Sequence, residues 1–306
     1  MMKARRKTSL TLYGTYIAKW KVFCDNHGWN HVYASVQQGL IFLQHLLDAG
    51  SGYSVINTAR SALSALINLK TGLQFGSHPD VTLFMKGVFN IRPTTPKYVS
   101  TWDPVHVLTF LEQWFPADNI TLEKLTLKLI MLILLVTGQR PQIIHRLDLA
   151  NLKTTTDTHE FVVKLTDLKQ GRVNYRPDSI VLRAYPSNKK LCVFRYMSSY
   201  IQRTALLRKN DTQLILAFKK PHKPASSNTI SRWIKTVLNK AGIDTGTFSA
   251  GSVRSASTSK AREQGAPVQQ ILSMGGWTRE STFNKFYNRP IVSMPFATRI
   301  LDCLPE

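Results

Sequence analysis

The stretch LKLIMLILLVTG, residues 127–138, is the longest apolar run in the chain and limits what the rest can fold into. Twelve helical residues rise roughly 18 Å, short of the roughly 30 Å hydrocarbon core of a bilayer, and Lys128 interrupts the run. A helix apolar on every side is stable in water only when other elements wrap it, so this run reads as a buried helix. The N-terminal MMKARRKTSLTLYG is basic but has no apolar segment after it, so no secretory signal is expected. Its run KARRK, residues 3–7, fits a nuclear import patch, a phosphate-contacting arm or a solvated start.

A chain of 306 residues is too long for one simple core and suits two domains. Residues 9–92 carry helical spacing throughout, as in Leu12, Tyr16, Trp20 and Phe23, with Ser9 and Thr11 as candidate N-caps and Gly50 and Gly72 as stops. IRPTTPKYVSTWDP then packs three prolines into fourteen residues. Such density favours extended chain, which places a linker near 93–101 between domains at 1–92 and 102–306. The second part starts with helices at 104–115 and 122–137. EFVVKLTD, GRVNY and SIVLRAY alternate apolar with polar residues and predict a small antiparallel sheet over 160–185. LKQGR, residues 168–172, falls at its hairpin turn, with Gly171 free to take a positive φ. Helices resume at 192–207, 227–241 and 251–264, with two short ones after them. The expected fold is mainly α: a helical N-terminal domain followed by an α+β domain with a small antiparallel sheet.

The charge balance narrows the partner. Lys and Arg number 40 against 18 Asp and Glu, giving +22 and a pI near 10.1. Before residue 95 the count is 10 against 3, or +7, and after it 30 against 15, or +15. Two basic parts joined by a linker suit a duplex gripped from two sides, so double-stranded DNA is the expected partner, and no membrane is expected. Cys24, Cys192 and Cys303 are odd in number and far apart, which suits a reducing compartment without a disulfide framework. No Walker-type glycine loop and no GxSxG elbow is present. CDNHGWNH offers Cys24, His27 and His31 but no nearby fourth ligand, so neither metal nor cofactor is expected.

Four other features carry chemistry. TGQRPQ sets Arg140 just past the buried helix and a glycine; LKQGR sets Lys169 on a hairpin tip. SVRSAST sets Arg254 near a helix start, where free N–H groups favour an anion. GGWTRESTFNKFYNRP sets Tyr287 among Arg279, Lys285 and Arg289. Two arginines clamp the non-bridging oxygens of a phosphate, a lysine protonates a leaving oxygen, and a phenol attacks phosphorus. Taken singly, each arginine reads as a surface residue and Tyr287 as a packed ring. The order of all four is what suits metal-free transesterification of DNA.

TGQRPQIIHRLDL resembles the first arginine box of the tyrosine recombinases, the phage integrase superfamily. AGSVRSASTSKAREQGAPVQQILSMGGW and FNKFYNRP resemble its second box and nucleophile region. Arg254 to Trp277 spans 23 residues and Trp277 to Tyr287 spans 10, close to the family's intervals. KPHKPASSNTISRWIKTVLNKAGID, SASTSKA and GWTRESTFNKFYNRP are most similar to the recombinases of DIRS- and Ngaro-type retrotransposons and Cryptons. The resemblance implies a helical core-binding domain at 1–92, a catalytic domain at 102–306, and work on a mobile element's DNA in the nucleus or otherwise inside the cell. It implies that Arg140 and Arg254 hold the scissile phosphate, with Lys169 as general acid to the 5′ oxygen and Lys164 as the alternative. Trp277 would stand where the family has His or Trp and donate its indole N–H to a phosphate oxygen. Tyr287 would form a 3′-phosphotyrosyl link. The tail NRPIVSMPFATRILDCLPE would dock on a neighbouring protomer in a tetramer on DNA, or pack on its own domain.

Two positions depart from the family. Gly251 stands three residues before Arg254, where a histidine or lysine is usual, and Ile143, beside Gln142, replaces a frequent carboxylate three residues after Arg140. A general base contributes about 100- to 10,000-fold, so Gly251 is expected to slow the enzyme. Two alternatives therefore stand beside the recombinase: a catalytically inactive DNA-binding protein derived from one, and a type IB topoisomerase acting alone.

Overall fold

The computed structural model describes residues 7–94, 98–162 and 179–291. The chain divides into two compact units, Met1–Pro96 and Lys97–Glu306.

Among its described residues the first unit contains helices and no strand: α1 Lys7–Asn26, α2 Val36–Asp48, α3 Tyr53–Thr71 and α4 Pro79–Ile91. α1 already runs at Lys7, so Ser9 and Thr11 lie within the helix rather than at its N-cap position. α2 starts where Ser35 and Gln38 form a reciprocal capping box, and Gly72 ends α3 in the left-handed conformation. The helices close on Trp20, Phe42, Leu43, Ile56, Leu63 and Phe75. Trp20 meets the Phe42 ring edge-on at 5.2 Å and donates its indole N–H to the His31 carbonyl at 2.8 Å. Cys24 lies in the same core, and burial pushes its thiol up to about 11, which keeps it protonated. Among the described residues no group of three His, Cys, Asp or Glu side chains is placed to hold a metal ion.

The second unit is built on α5 Pro104–Glu112 and α6 Leu122–Thr137. α6 carries the apolar run from Leu127 to Thr137. It is buried from Leu125 to Leu134 and packs against α8 Val193–Thr204, α9 Ser227–Lys240 and α10 Ser252–Glu263. The one cation in this buried stretch is satisfied inside. Lys128, fully buried, donates to the Leu111 and Trp114 carbonyls at 2.7 and 2.8 Å, and to the Tyr196 hydroxyl at 2.8 Å. Those carbonyls lie at and just past the end of α5, where the helix dipole favours a positive charge. Burial opposes that charge and pulls the ammonium down to about 7.

The sheet is antiparallel with order β1-β2-β3: β1 Leu152–Thr154, β2 Thr158–Phe161 and β3 Ile180–Arg183. Phe161 faces Leu152 on one side and Ile180 on the other. The expected start at 160 was late, and β1 was missed. A three-residue strand is too short to show a period, and the Thr155, Asp157 and Thr158 side chains that bond across its turn read as loop. SIVLRAY does contain β3. GRVNY and the hairpin LKQGR lie outside the described residues.

α7 Pro141–Ile144, α11 Val268–Gly275 and α12 Glu280–Phe286 complete the set. The chain is mostly helical with a small three-stranded antiparallel sheet, the expected class. Among the described residues no helix is long and apolar enough to cross a membrane.

Candidate active site

The site begins where α6 ends. Gly138 takes a left-handed φ of 57°, and a Cβ there would come within 2.9 Å of the Thr258 methyl group. This turn sets Arg140 at the N-cap of α7 and leaves the Gly138 carbonyl to accept from Arg254 Nη1 at 2.8 Å. Arg254, the third residue of α10, is 1% exposed. Its Nη2 donates to the Gly275 carbonyl, and its Nε has no partner among the described residues. The guanidinium lies 3.7 Å from the centre of the Trp277 ring and 5.1 Å from that of Tyr287, and the two rings are 4.7 Å apart.

Burial, and then the charge of half-buried Arg140, pull the Arg254 guanidinium down to about 9; the Tyr287 side chain opposes them. Among the described residues no carboxylate pairs with Arg254. A buried cation without a counter-ion is costly, so the pocket favours an anion. The Trp277 indole N–H is also buried, without a partner among the described residues.

Trp277 owes its position to the glycines before it. Gly276 ends α11 in the left-handed conformation, and the Trp277 N–H returns to the Leu272 carbonyl at 2.9 Å. The indole then lies flat on Gly275, where a Cβ would stand 2.0 Å from the ring. Gly275→Ala is expected to push the indole off Arg254 and to cost about 2 kcal/mol, as overpacking does. Urea unfolding checks this, and stability equal to the parent would refute it.

Tyr287 caps the end of α12 and is half-buried. Its N–H bonds the Phe283 carbonyl at 2.8 Å. Its carbonyl accepts from Ser255 Oγ and Ser259 Oγ, each at 2.9 Å. The residues after it run beside the start of the unit, where the Thr101 N–H donates to the Pro290 carbonyl at 2.9 Å and Trp102 bonds Ser252. Tyr98, in that starting segment, shares the electrostatic surroundings of Tyr287 and Arg289, and burial raises its hydroxyl.

Of the expected site residues, Arg254, Trp277 and Tyr287 are in contact, and Arg140 is near enough for its charge to act on Arg254. Lys169 and Lys164 lie outside the described residues. Arg279 and Lys285 point to solvent, while Arg289 is half-buried and bonds the Lys285 carbonyl. Gly251 is exposed just before α10, at an ordinary φ of −70°. A Cβ there would meet only Ser249 Oγ, at 3.7 Å. Ile143 is a core residue and Gln142 is exposed. Ser255, Ser259 and Gly275 escaped the sequence reading. The one signal for the serines was the density of hydroxyls in a helix.

The pattern of the phage integrase family matches residues 111–292. No curated protein matches the sequence significantly. Among solved structures, a lambda integrase dimer bound to a COC' core site is similar, with a TM-score of 0.56, 14% identity and coverage of 95% of this chain and 92% of that one. A lambda integrase tetramer bound to a Holliday junction gives 0.52, 12%, and 95% and 74%. The Tn1549 transposon integrase in complex with circular intermediate DNA gives 0.52, 13%, and 90% and 87%. At such identities the likeness shows the fold. The family pattern spans more than half of the chain, from the end of α5 to just past Tyr287, and takes in the buried arginine, the indole over it and the phenol beside both; this protein therefore belongs to the phage integrase family.

Proposed function

We propose that this protein is a site-specific DNA recombinase that cuts and rejoins a duplex through Tyr287. The observation that carries the reading is Arg254: buried, without a carboxylate partner among the described residues, and in contact with Trp277 and Tyr287. A scissile phosphate is the anion that such a pocket suits, and a charge of +22 suits its polyanionic backbone.

In this mechanism Arg140 and Arg254 hold the non-bridging oxygens, and the unpartnered Trp277 N–H donates to one of them. Tyr287 Oη bonds to phosphorus as the bond to the 5′ oxygen breaks. Lys169 gives that oxygen its proton. The phenol proton passes to water, since Gly251 has no side chain to take it. A strand end returning to the phosphotyrosyl link reverses the steps, so the energy of the broken bond is kept without a cofactor. The lambda integrase structures, a dimer on a core site and a tetramer on a Holliday junction, support assembly as a tetramer on DNA. The DIRS-, Ngaro- and Crypton-like segments support a mobile-element origin and work in the nucleus.

The test is incubation with nicked and supercoiled DNA without metal. A denaturant-resistant adduct is expected, with the DNA mapped by peptide analysis to Tyr287; attachment to another residue would refute the assignment. Gly251 favours a second reading, a DNA-binding protein that no longer cuts. Gly251→His has room for its Cβ, on an exposed position, and is expected to raise the rate of adduct formation by about 100-fold. An adduct seen only in Gly251→His would establish the second reading; no gain in that variant would show that the glycine is not the defect.

A further inference from the structure

α10 is an unusual helix. Five of its 12 residues are hydroxyl side chains: Ser252, Ser255, Ser257, Thr258 and Ser259. Serine and threonine compete with the helix for backbone bonds and are poorer helix formers than alanine. Thr258 does turn back on its own helix, to the Arg254 carbonyl, and Ser257 bonds the Leu135 carbonyl of α6. Ser255 and Ser259 do something else. One turn apart on the same face, they donate to a single acceptor, the carbonyl of Tyr287, at 2.9 Å each. Ser259 Oγ also accepts from the Arg289 N–H at 2.9 Å. Both serines are buried, at 2% and 4% exposure.

We infer that Ser255 and Ser259 are positioning residues that set the reach of Tyr287 to the phosphate; the inference rests on the recombinase reading above. Four backbone bonds bracket the tyrosine: its N–H to Phe283, its carbonyl to both serines, and the N–H of Arg289 to Ser259. The main chain at Tyr287 is thereby fixed to the helix that carries Arg254, the immediate neighbour of Ser255. Attacking group and clamp are held by one rigid element, which keeps the phenol in line with phosphorus without ordering it anew at each turnover. Without the two hydroxyls, the ring contacts with Trp277 and Arg254 remain but the backbone register is free to drift.

The experiment compares Ser255→Ala, Ser259→Ala and the double variant with the parent and with Ser257→Ala. The last removes a hydroxyl from the same helix without touching Tyr287. Two quantities are read: DNA affinity, and the first-order rate of adduct formation at saturating DNA. The double variant is expected to lose about 10- to 100-fold in that rate, with affinity within about twofold of the parent, because a misplacement of about 1 Å costs on the order of 100-fold. The single variants are expected to fall between. Ser257→Ala is expected to melt lower but to keep the parent's rate. A folded double variant that cleaves at the parent's rate overturns the inference, as does an equal loss of rate in Ser257→Ala. Affinity falling in step with rate overturns it too, since that marks general disruption of α10. Absence of an adduct in the parent protein would instead overturn the recombinase reading itself.

Discussion

Tyr287→Phe is expected to abolish covalent attachment to DNA while leaving the fold and DNA binding in place. The substitution removes one oxygen. The ring contacts at 4.7 Å with Trp277 and 5.1 Å with Arg254 are kept, as are the backbone bonds to Phe283, Ser255 and Ser259. A half-buried site that keeps its packing is expected to change in stability by no more than about 0.5 kcal/mol. The chemistry has no such reserve, because only a nucleophile on the protein leaves a covalent product. Denaturing gels of the protein with nicked DNA check the first outcome, and band shifts on the same DNA the second. An adduct that persists would mean that a different group attacks. Tyr98, which shares the electrostatic surroundings of Tyr287, would be the next to replace.

Arg254→Ala is expected to damage both stability and catalysis. The side chain ties the end of α6 to the end of α11 through the Gly138 and Gly275 carbonyls and fills the space under Trp277. Its removal leaves two carbonyls without that partner and a cavity, for a cost of about 2–4 kcal/mol. The rate of adduct formation is expected to fall by about 100- to 1,000-fold, the usual effect of losing a preorganised donor to a developing anion. Arg254→Lys should recover little of the rate, since an ammonium cannot bond both carbonyls while lying flat on an indole. Retention of parental rate by either variant would remove Arg254 from the clamp. The lowered basicity adds a pH signature. Below about 9 the folded and unfolded guanidinium are both charged, and the full penalty of burial is present. Between about 9 and the ordinary, much higher arginine range only the unfolded form keeps the proton, so stability gains from Arg254 as pH rises. DNA affinity should run the other way, falling above about pH 9 as the free site loses charge. Arg254→Ala should flatten that fall.

Much of the site and part of the fold were legible in short windows. A helix apolar on all sides must be buried, and the sequence placed α6 over the 122–137 that the structure has. Prolines, glycines and alternation are local signals too, and they located most helices and β3. The arginines, the indole and the phenol could be picked out as candidates because their order and spacing resemble the family's.

The failures have one physical cause. β1 and the start of α1 depend on neighbours that a short polar segment does not name. Lys128 could be read as a charge on a buried helix, but not as the cap of α5, because its carbonyl partners stand 14 and 17 residues away. Arg254 meets the Gly138 carbonyl across 116 residues, and the serines reach the Tyr287 carbonyl across 32 and 28. The sequence by itself determined which groups are available for the chemistry and which helix had to lie inside. Only the tertiary structure decided that Arg254 has no carboxylate partner among the described residues, that Gly275 lies flush against Trp277, and that two serines hold the tyrosine to the same helix as the arginine. Backbone periodicity is a property of near neighbours, whereas a hydrogen bond between distant segments depends on how the intervening chain packs.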